Sequence, residues 1–235
     1  MPPVRRRGLA SSPSLEVPAL VMNSALVRVP GTGEVSLAAP DTPEPPDATT
    51  ALPTAWTGLG LSTPDGTTLA RKVEKEGTEH WQQLTPARYI YKSLELTVAS
   101  VFQETKAIIL SAYFGGMTFA ETATGSKIYR AEIYAIPKGD VRALCIDWTD
   151  VVSATEVYSH RLYLPRAEVS ETQDAQFSRT QEARWGMTFS ALAPPKGKTF
   201  VAVWLTNDPA VLFGAPAVAS GGLDVISDEP PPASD

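Results

Sequence analysis

From Leu69 to Leu205, apolar and polar side chains alternate with a period of two in one segment after another, the pattern of half-buried strands. Leu94, Leu96, Val98 and Phe102 fall on one face of such a segment, and Glu95, Thr97 and Ala99 on the other. Further strands are predicted over Leu69–Glu76, Tyr129–Ile136, Val141–Trp148, His160–Leu164, Trp185–Leu192 and Thr199–Leu205. Turn phrases such as Pro137-Lys138-Gly139-Asp140 and Pro194-Pro195-Lys196-Gly197 separate them. One segment departs from the alternation. Over Lys106–Phe114 the apolar positions Ile108, Ile109, Ala112 and Tyr113 take helical spacing, and Gly115-Gly116 supplies a C-terminal stop. The spacing predicts a mainly β core, a sheet or sandwich with one packed α-helix near 105–114.

The two ends of the chain read differently. A short hydrophobic segment, Val17–Val29, precedes a stretch rich in Pro, Asp and Thr, Ala39–Pro53, which carries Pro40, Pro43, Pro45, Pro46 and Pro53. Proline offers no amide hydrogen to a ladder, so this stretch is expected outside the sheet. The closing segment, Gly221–Asp235, is polar and ends near Pro230-Pro231-Pro232. The expected organisation is an extended N-terminal arm over 1–55, a β core over 56–207 and a C-terminal arm over 208–235, with the arms either solvated or ordered by a neighbour.

Charge and chemistry narrow the function. Twenty basic against twenty-six acidic residues leave a net charge of -6, the wrong sign for gripping nucleic acid through its phosphates. No apolar run approaches the roughly 18 residues of a membrane span, so no membrane partner is expected. Arg5-Arg6-Arg7 resembles the charged start of an export signal, but Ser11–Pro18 is polar and broken by proline, so standard secretion is not expected. The single cysteine, Cys145, lies in an apolar stretch and reads as a small buried hydrophobe. Neither His80 nor His160 has a second ligand at metal spacing, so no metal or other cofactor is expected. Asp147 and Asp150 could form a carboxylate pair or simply a strand-end turn, and no nucleophile, base and orienting group can be assembled around them. The glycines of Gly58-Leu59-Gly60 lack a phosphate-loop setting, and the five tryptophans are expected to fill the core or its interfaces.

The phrase Trp56-Thr57-Gly58-Leu59-Gly60-Leu61, followed by Thr63-Pro64-Asp65-Gly66, resembles a segment of the major tail proteins of long-tailed phages of actinobacteria. The likeness continues in order through Arg71–Glu76, His80-Trp81-Gln82, Leu94–Phe114, Arg142–Trp148, Leu164–Val169 and Trp185–Leu192. Trp56, Gly58, Gly60, Asp65, Gly66 and Trp81 are the positions that carry the motif, as turn and core residues. The chain departs from the pattern in its longer, proline-laden N-terminal region.

The resemblance implies a tail-tube fold, with β-sandwich or barrel-like sheets joining six subunits into rings that stack into a hollow tube. It implies no enzymatic activity, a virion location after assembly in the host cytoplasm, and a noncontractile tail. The implied partners are other copies of the chain, a tape-measure protein, and tail-tip and terminator proteins, while DNA traverses the bore without specific binding. Within this picture Gly115–Lys127, with Gly115, Gly116, Thr118, Thr122 and Lys127, is the candidate ring-stacking loop or an ordinary surface loop. Lys72, Glu74, Glu76 and Glu95 are candidates to face the bore or a solvated outer surface. The alternative reading is a monomeric β-sandwich, a binding module or virion decoration protein.

Overall fold

The predicted alternation becomes a sheet whose strands mostly outrun their patterns. A computed structural model describes residues 27–78, 81, 85–136 and 138–211. In order the elements are β1 (Thr32–Ala38), β2 (Thr57–Gly58), β3 (Ser62–Gly77), β4 (Tyr89–Phe102), α1 (Ala107–Tyr113), β5 (Ala120–Glu121) and β6 (Tyr129–Arg130). They continue as β7 (Arg142–Val151), β8 (Val157–Thr172), β9 (Trp185–Ala191) and β10 (Val203–Thr206), with a final 3-10 turn at Pro209–Val211. Apart from the β5–β6 ribbon, the strands form one antiparallel sheet in the order β2-β1-β7-β8-β9-β4-β3, with β10 added beside β8. The fold is therefore mainly β with one helix.

β8 is the strand on which this sheet turns. Along one side it pairs with β7; along the other it pairs first with β10, over His160–Tyr163, and then with β9, over Ala167–Thr172. A register shift between Val169 and Glu171 bends it there. Its inner face contributes Leu162 and Leu164 to a core shared with Val35, Leu144, Phe102 and Phe189. Complete burial of side chains such as Phe102, Phe189 and Tyr163 stabilises the fold by about 1.5–3 kcal/mol each.

Helix α1 closes one side of that core with Ile109 and Ala112. The predicted stop is present: Gly116 N–H donates to Ser111 O at 2.7 Å and Gly115 N–H to Ala112 O at 3.3 Å, a Schellman motif. Gly115 sits at φ 68°, where a side chain would be strained. Tyr113 and Phe114 then pack edge-on to Trp185, at centroid distances of 5.2 Å and 6.3 Å.

Three expectations need correction. The core does not begin at residue 56, because β1 lies inside the sheet, paired with β7 from Thr32 to Ala38. Its residues, Thr-Gly-Glu-Val-Ser-Leu-Ala, carry a short alternation that the neighbouring prolines obscure. The proline-rich stretch that follows, Ala39–Pro53, is no free arm. It lies across the back of β7 and β8, where Tyr163 Oη donates to Thr42 O at 2.5 Å. Arg161 Nη1 donates to Asp47 O at 2.6 Å and Thr50 O at 3.0 Å. Beneath it Trp56, Ala143, Cys145 and Tyr163 form a second core. Finally, Tyr129–Ile136 is not a strand of the sheet: only Tyr129 and Arg130 pair, with β5. Residues 1–26 and 212–235, hence most of Val17–Val29 and of the C-terminal arm, lie outside the described residues, as do His80 and Gln82.

Candidate assembly surfaces

β4 is held between two strands only over Thr97–Phe102, where it pairs with both β3 and β9. From Tyr89 to Leu96 its ladder partner is β3 alone. The outer halves of β3 and β4 thus leave the sheet as a two-stranded ribbon. Because opposed residues share a face, the register sorts the ribbon's side chains. Lys72 opposes Glu95, Glu74 opposes Ser93, and Glu76 opposes Ile90, so Lys72, Glu74, Glu76 and Glu95 lie together on one face. The fold brings these four candidate residues together. Lys72 Nζ approaches Glu74 Oε1 at 3.8 Å, Lys92 Nζ reaches Glu76 Oε2 at 2.9 Å, and Ser93 Oγ donates to Glu74 Oε2 at 3.1 Å.

The other face continues the core outward. Leu69 opposes the buried Val98, Val73 opposes Leu94, and Lys75 opposes Tyr91. Leu69, Leu94, Tyr91 and Tyr89 are all exposed. Arg71, opposite Leu96, and Lys75, over the Tyr91 ring at 4.9 Å, are the charged residues on this face. At the ribbon's tip Trp81 is 99% exposed and lies in a turn, the turn half of the role expected of it and not the core half. Its position at the end of a hairpin, beyond reach of the sheet, is the reason.

The other motif residues stay on the body. Trp56 is buried against Tyr163, edge-on at 6.0 Å. Gly58 is half of β2 and lies under the Glu34 side chain. Gly60, at φ 85°, makes room for the Glu104 carboxylate, which accepts from Leu61 N–H at 2.8 Å. Thr63-Pro64-Asp65-Gly66 is a bulge inside β3 rather than a turn between strands, with Gly66 at φ 72°.

The candidate stacking loop divides in two. Gly115 and Gly116 belong to the helix cap, while Thr118 is exposed on the way to the β5–β6 ribbon. Thr122 and Lys127 close that ribbon: Thr122 N–H donates to Ile128 O at 2.9 Å, and Lys127 N–H to Glu121 Oε1 at 2.8 Å. Around and after it Phe119, Ile128, Tyr129, Ile133 and Ile136 are exposed, an apolar surface that the loop's small polar residues did not announce.

The buried polar groups are structural in their geometry. Asp147 and Asp150, an odd number of residues apart on β7, point to opposite faces and form no carboxylate pair. Asp147 accepts from Arg161 Nε at 2.6 Å and Nη2 at 3.1 Å. Burial pushes the Cys145 thiol far up, away from reactivity. His160 stacks on Trp148 at 5.2 Å, accepts from Trp204 Nε1 at 3.4 Å, and lies 3.9 Å from Asp208. Asp208 is in turn held by Arg28 Nε at 2.6 Å and Nη2 at 2.9 Å. No group of three His, Cys, Asp or Glu side chains suited to a metal occurs among the described residues. No described helix is long and apolar enough to cross a membrane.

What this molecule presents, then, is contact surface: an amphipathic ribbon and an apolar loop on a rigid sheet. Comparison with curated proteins finds no match. A family model described as "Phage tail tube protein" matches residues 20–218, a span that includes every element described above. The chain belongs to the phage tail tube proteins, a structural family whose members build the tube of the virion tail.

Proposed function

We propose that the chain forms hexameric rings that stack into a tail tube, the conduit through which the phage genome leaves the virion. The observation that carries this reading is the β3–β4 ribbon. Its apolar face continues the core beyond the body of the subunit, and none of the subunit's described residues covers it. Exposed contiguous apolar surface of this kind marks an interaction site, and a neighbouring subunit in a ring supplies the cover. The opposite face, with Lys72, Glu74, Glu76 and Glu95, then meets the bore, where a net acidic protein repels passing DNA rather than binding it. The β5–β6 ribbon, with Thr118, Thr122 and Lys127, supplies the contact between stacked rings. Tape-measure, tip and terminator proteins are the further partners, and a noncontractile tail of an actinobacterial phage is the setting that the sequence resemblance supports.

Negative-stain electron microscopy of the concentrated protein, alone and with a tail-tip complex, tests the proposal. Six-fold rings or hollow tubes are expected. Small particles under every condition would favour the monomeric binding or decoration protein instead.

A further inference from the structure

The curled sheet has an open seam. β1 pairs with β7 along its whole length, but on its other side β2 covers only Ser36 and Leu37. Val35 O still accepts from Leu59 N–H at 2.8 Å, so by alternation the amide and carbonyl of Gly33 face the open side. Across from it runs β3, whose outer edge has no strand beside it among the described residues. These two edges flank a cavity of about 460 Å³, floored by Ile146, Trp148, Leu162 and Trp204. Thr63 lines it too, 5% exposed, its hydroxyl without a partner among the described residues.

The same chain carries a strand that is not used. Tyr129–Ile136 has the alternation of a strand, yet from Ala131 onward it joins no ladder. Tyr129, Ala131, Ile133 and Ala135 would form one apolar face of it; Ile133 is 65% exposed and Ile136 82%. Lys127, Arg130 and Lys138 make the neighbourhood basic against the single carboxylate of Glu132. The seam has the opposite character: Glu34 stands at its rim, the Asp147 carboxylate is already held by Arg161, and no cationic side chain lines it.

We propose that the segment Ala131–Ala135 of one subunit adds as a strand in the seam between β1 and β3 of a second copy. Its apolar face, Ala131, Ile133 and Ala135, covers the Trp148 and Trp204 floor, while its backbone meets the open edge at Gly33. Arg130 and Lys127 approach the acidic rim at Glu34. This assignment rests on the self-assembly reading above and specifies a donor and an acceptor for one of its contacts.

Two readouts test it on the full-length protein. Ile133→Pro removes one amide hydrogen from the donor strand at a position that makes no ladder bond in the subunit itself. The variant is expected to keep the circular dichroism and Tm of the parent while its critical concentration for assembly rises about tenfold or more. Separately, subunits carrying Glu34→Cys are mixed with subunits carrying Glu132→Cys, a position that alternation puts on the face away from Ile133 and so on the side of Glu34, and oxidised. A disulfide-linked dimer is expected in the mixture and in neither variant alone, the native Cys145 being buried. If the parent forms rings or tubes while Ile133→Pro assembles equally well and the mixture gives no linked dimer, the strand assignment falls and the tube reading stands. A linked dimer from a protein that never forms rings or tubes upholds the contact and removes the tube. Absence of both overturns both.

Discussion

Arg161 shows how one side chain ties two layers together. It is 4% exposed, forks onto Asp147 and uses its remaining reach on the carbonyls of Asp47 and Thr50. Replacing it with methionine leaves Asp147 without its partner and unpins the cover over Cys145 and Tyr163. The expected loss is about 3 kcal/mol in urea unfolding, the scale of a broken buried ion pair. Gly60→Ala is expected to cost about 1–2 kcal/mol by the same measurement, since φ 85° is a left-handed conformation. The cost rises further because the added methyl meets the Glu104 carboxylate.

Titration at the neighbouring position of β8, on its opposite face, has a defined sign. Burial lowers the His160 pKa below its ordinary 6.5, with Asp208 and Asp150 opposing that shift and Arg28 adding to it. The unfolded chain then takes up a proton that the folded one refuses, so stability is complete above pH 6.5 and falls as the pH drops below it. The hydrogen bond from Arg28 lowers Asp208 from 3.8 to about 2, which adds a second loss as the pH falls from about 4 towards 2. Thermal unfolding followed from pH 8 to pH 3 should show both declines. His160→Gln should flatten the first and leave the second.

At the scale of elements, the ribbon and the body differ in what holds them. Two strands without a third are marginal in water, so amides of Arg71–Gly77 and Tyr89–Leu96 are expected to exchange with deuterium before those of Thr97–Phe102. Assembly should slow the ribbon selectively; equal protection before and after assembly would contradict its role as a contact. The sequence showed these elements unevenly, for physical reasons. α1 was legible because its spacing and its Gly115-Gly116 stop agree, β9 because its apolar side chains alternate, and β7 because its short apolar run Ala143–Ile146 is that of a strand buried on both faces. β1 was hidden by brevity and by the prolines after it. Tyr129–Ile136 misled because local alternation encodes a strand without naming its partner. The grouping of Lys72, Glu74, Glu76 and Glu95 depended on the β3–β4 register, and the exposed position of Trp81 on where that hairpin ends, neither of which a single segment specifies.

For the whole molecule, charge governs how readily copies meet. A net charge of -6 on each subunit opposes association at long range. Raising ionic strength from 0.01 to 0.15 M shortens the screening length from about 30 to about 8 Å. Sedimentation should therefore show a lower critical concentration for assembly across that range. If apolar and strand contacts drive assembly, the gain should not reverse at moderate salt. The same charge predicts that duplex DNA is not retarded by the protein on a native gel at 0.15 M salt.

The proline-bearing cover across β7 and β8 has a further effect on this traffic. A bare sheet offers neighbours two broad faces as well as its edges, and face-to-face stacking has no natural end. With the back face already occupied by the chain's own Thr42, Asp47, Thr50 and Trp56, that route is shut. The subunit is left with fewer distinguishable ways to meet a copy of itself. Such a reduction in valence favours orderly growth over clumping wherever many copies collide in random orientations.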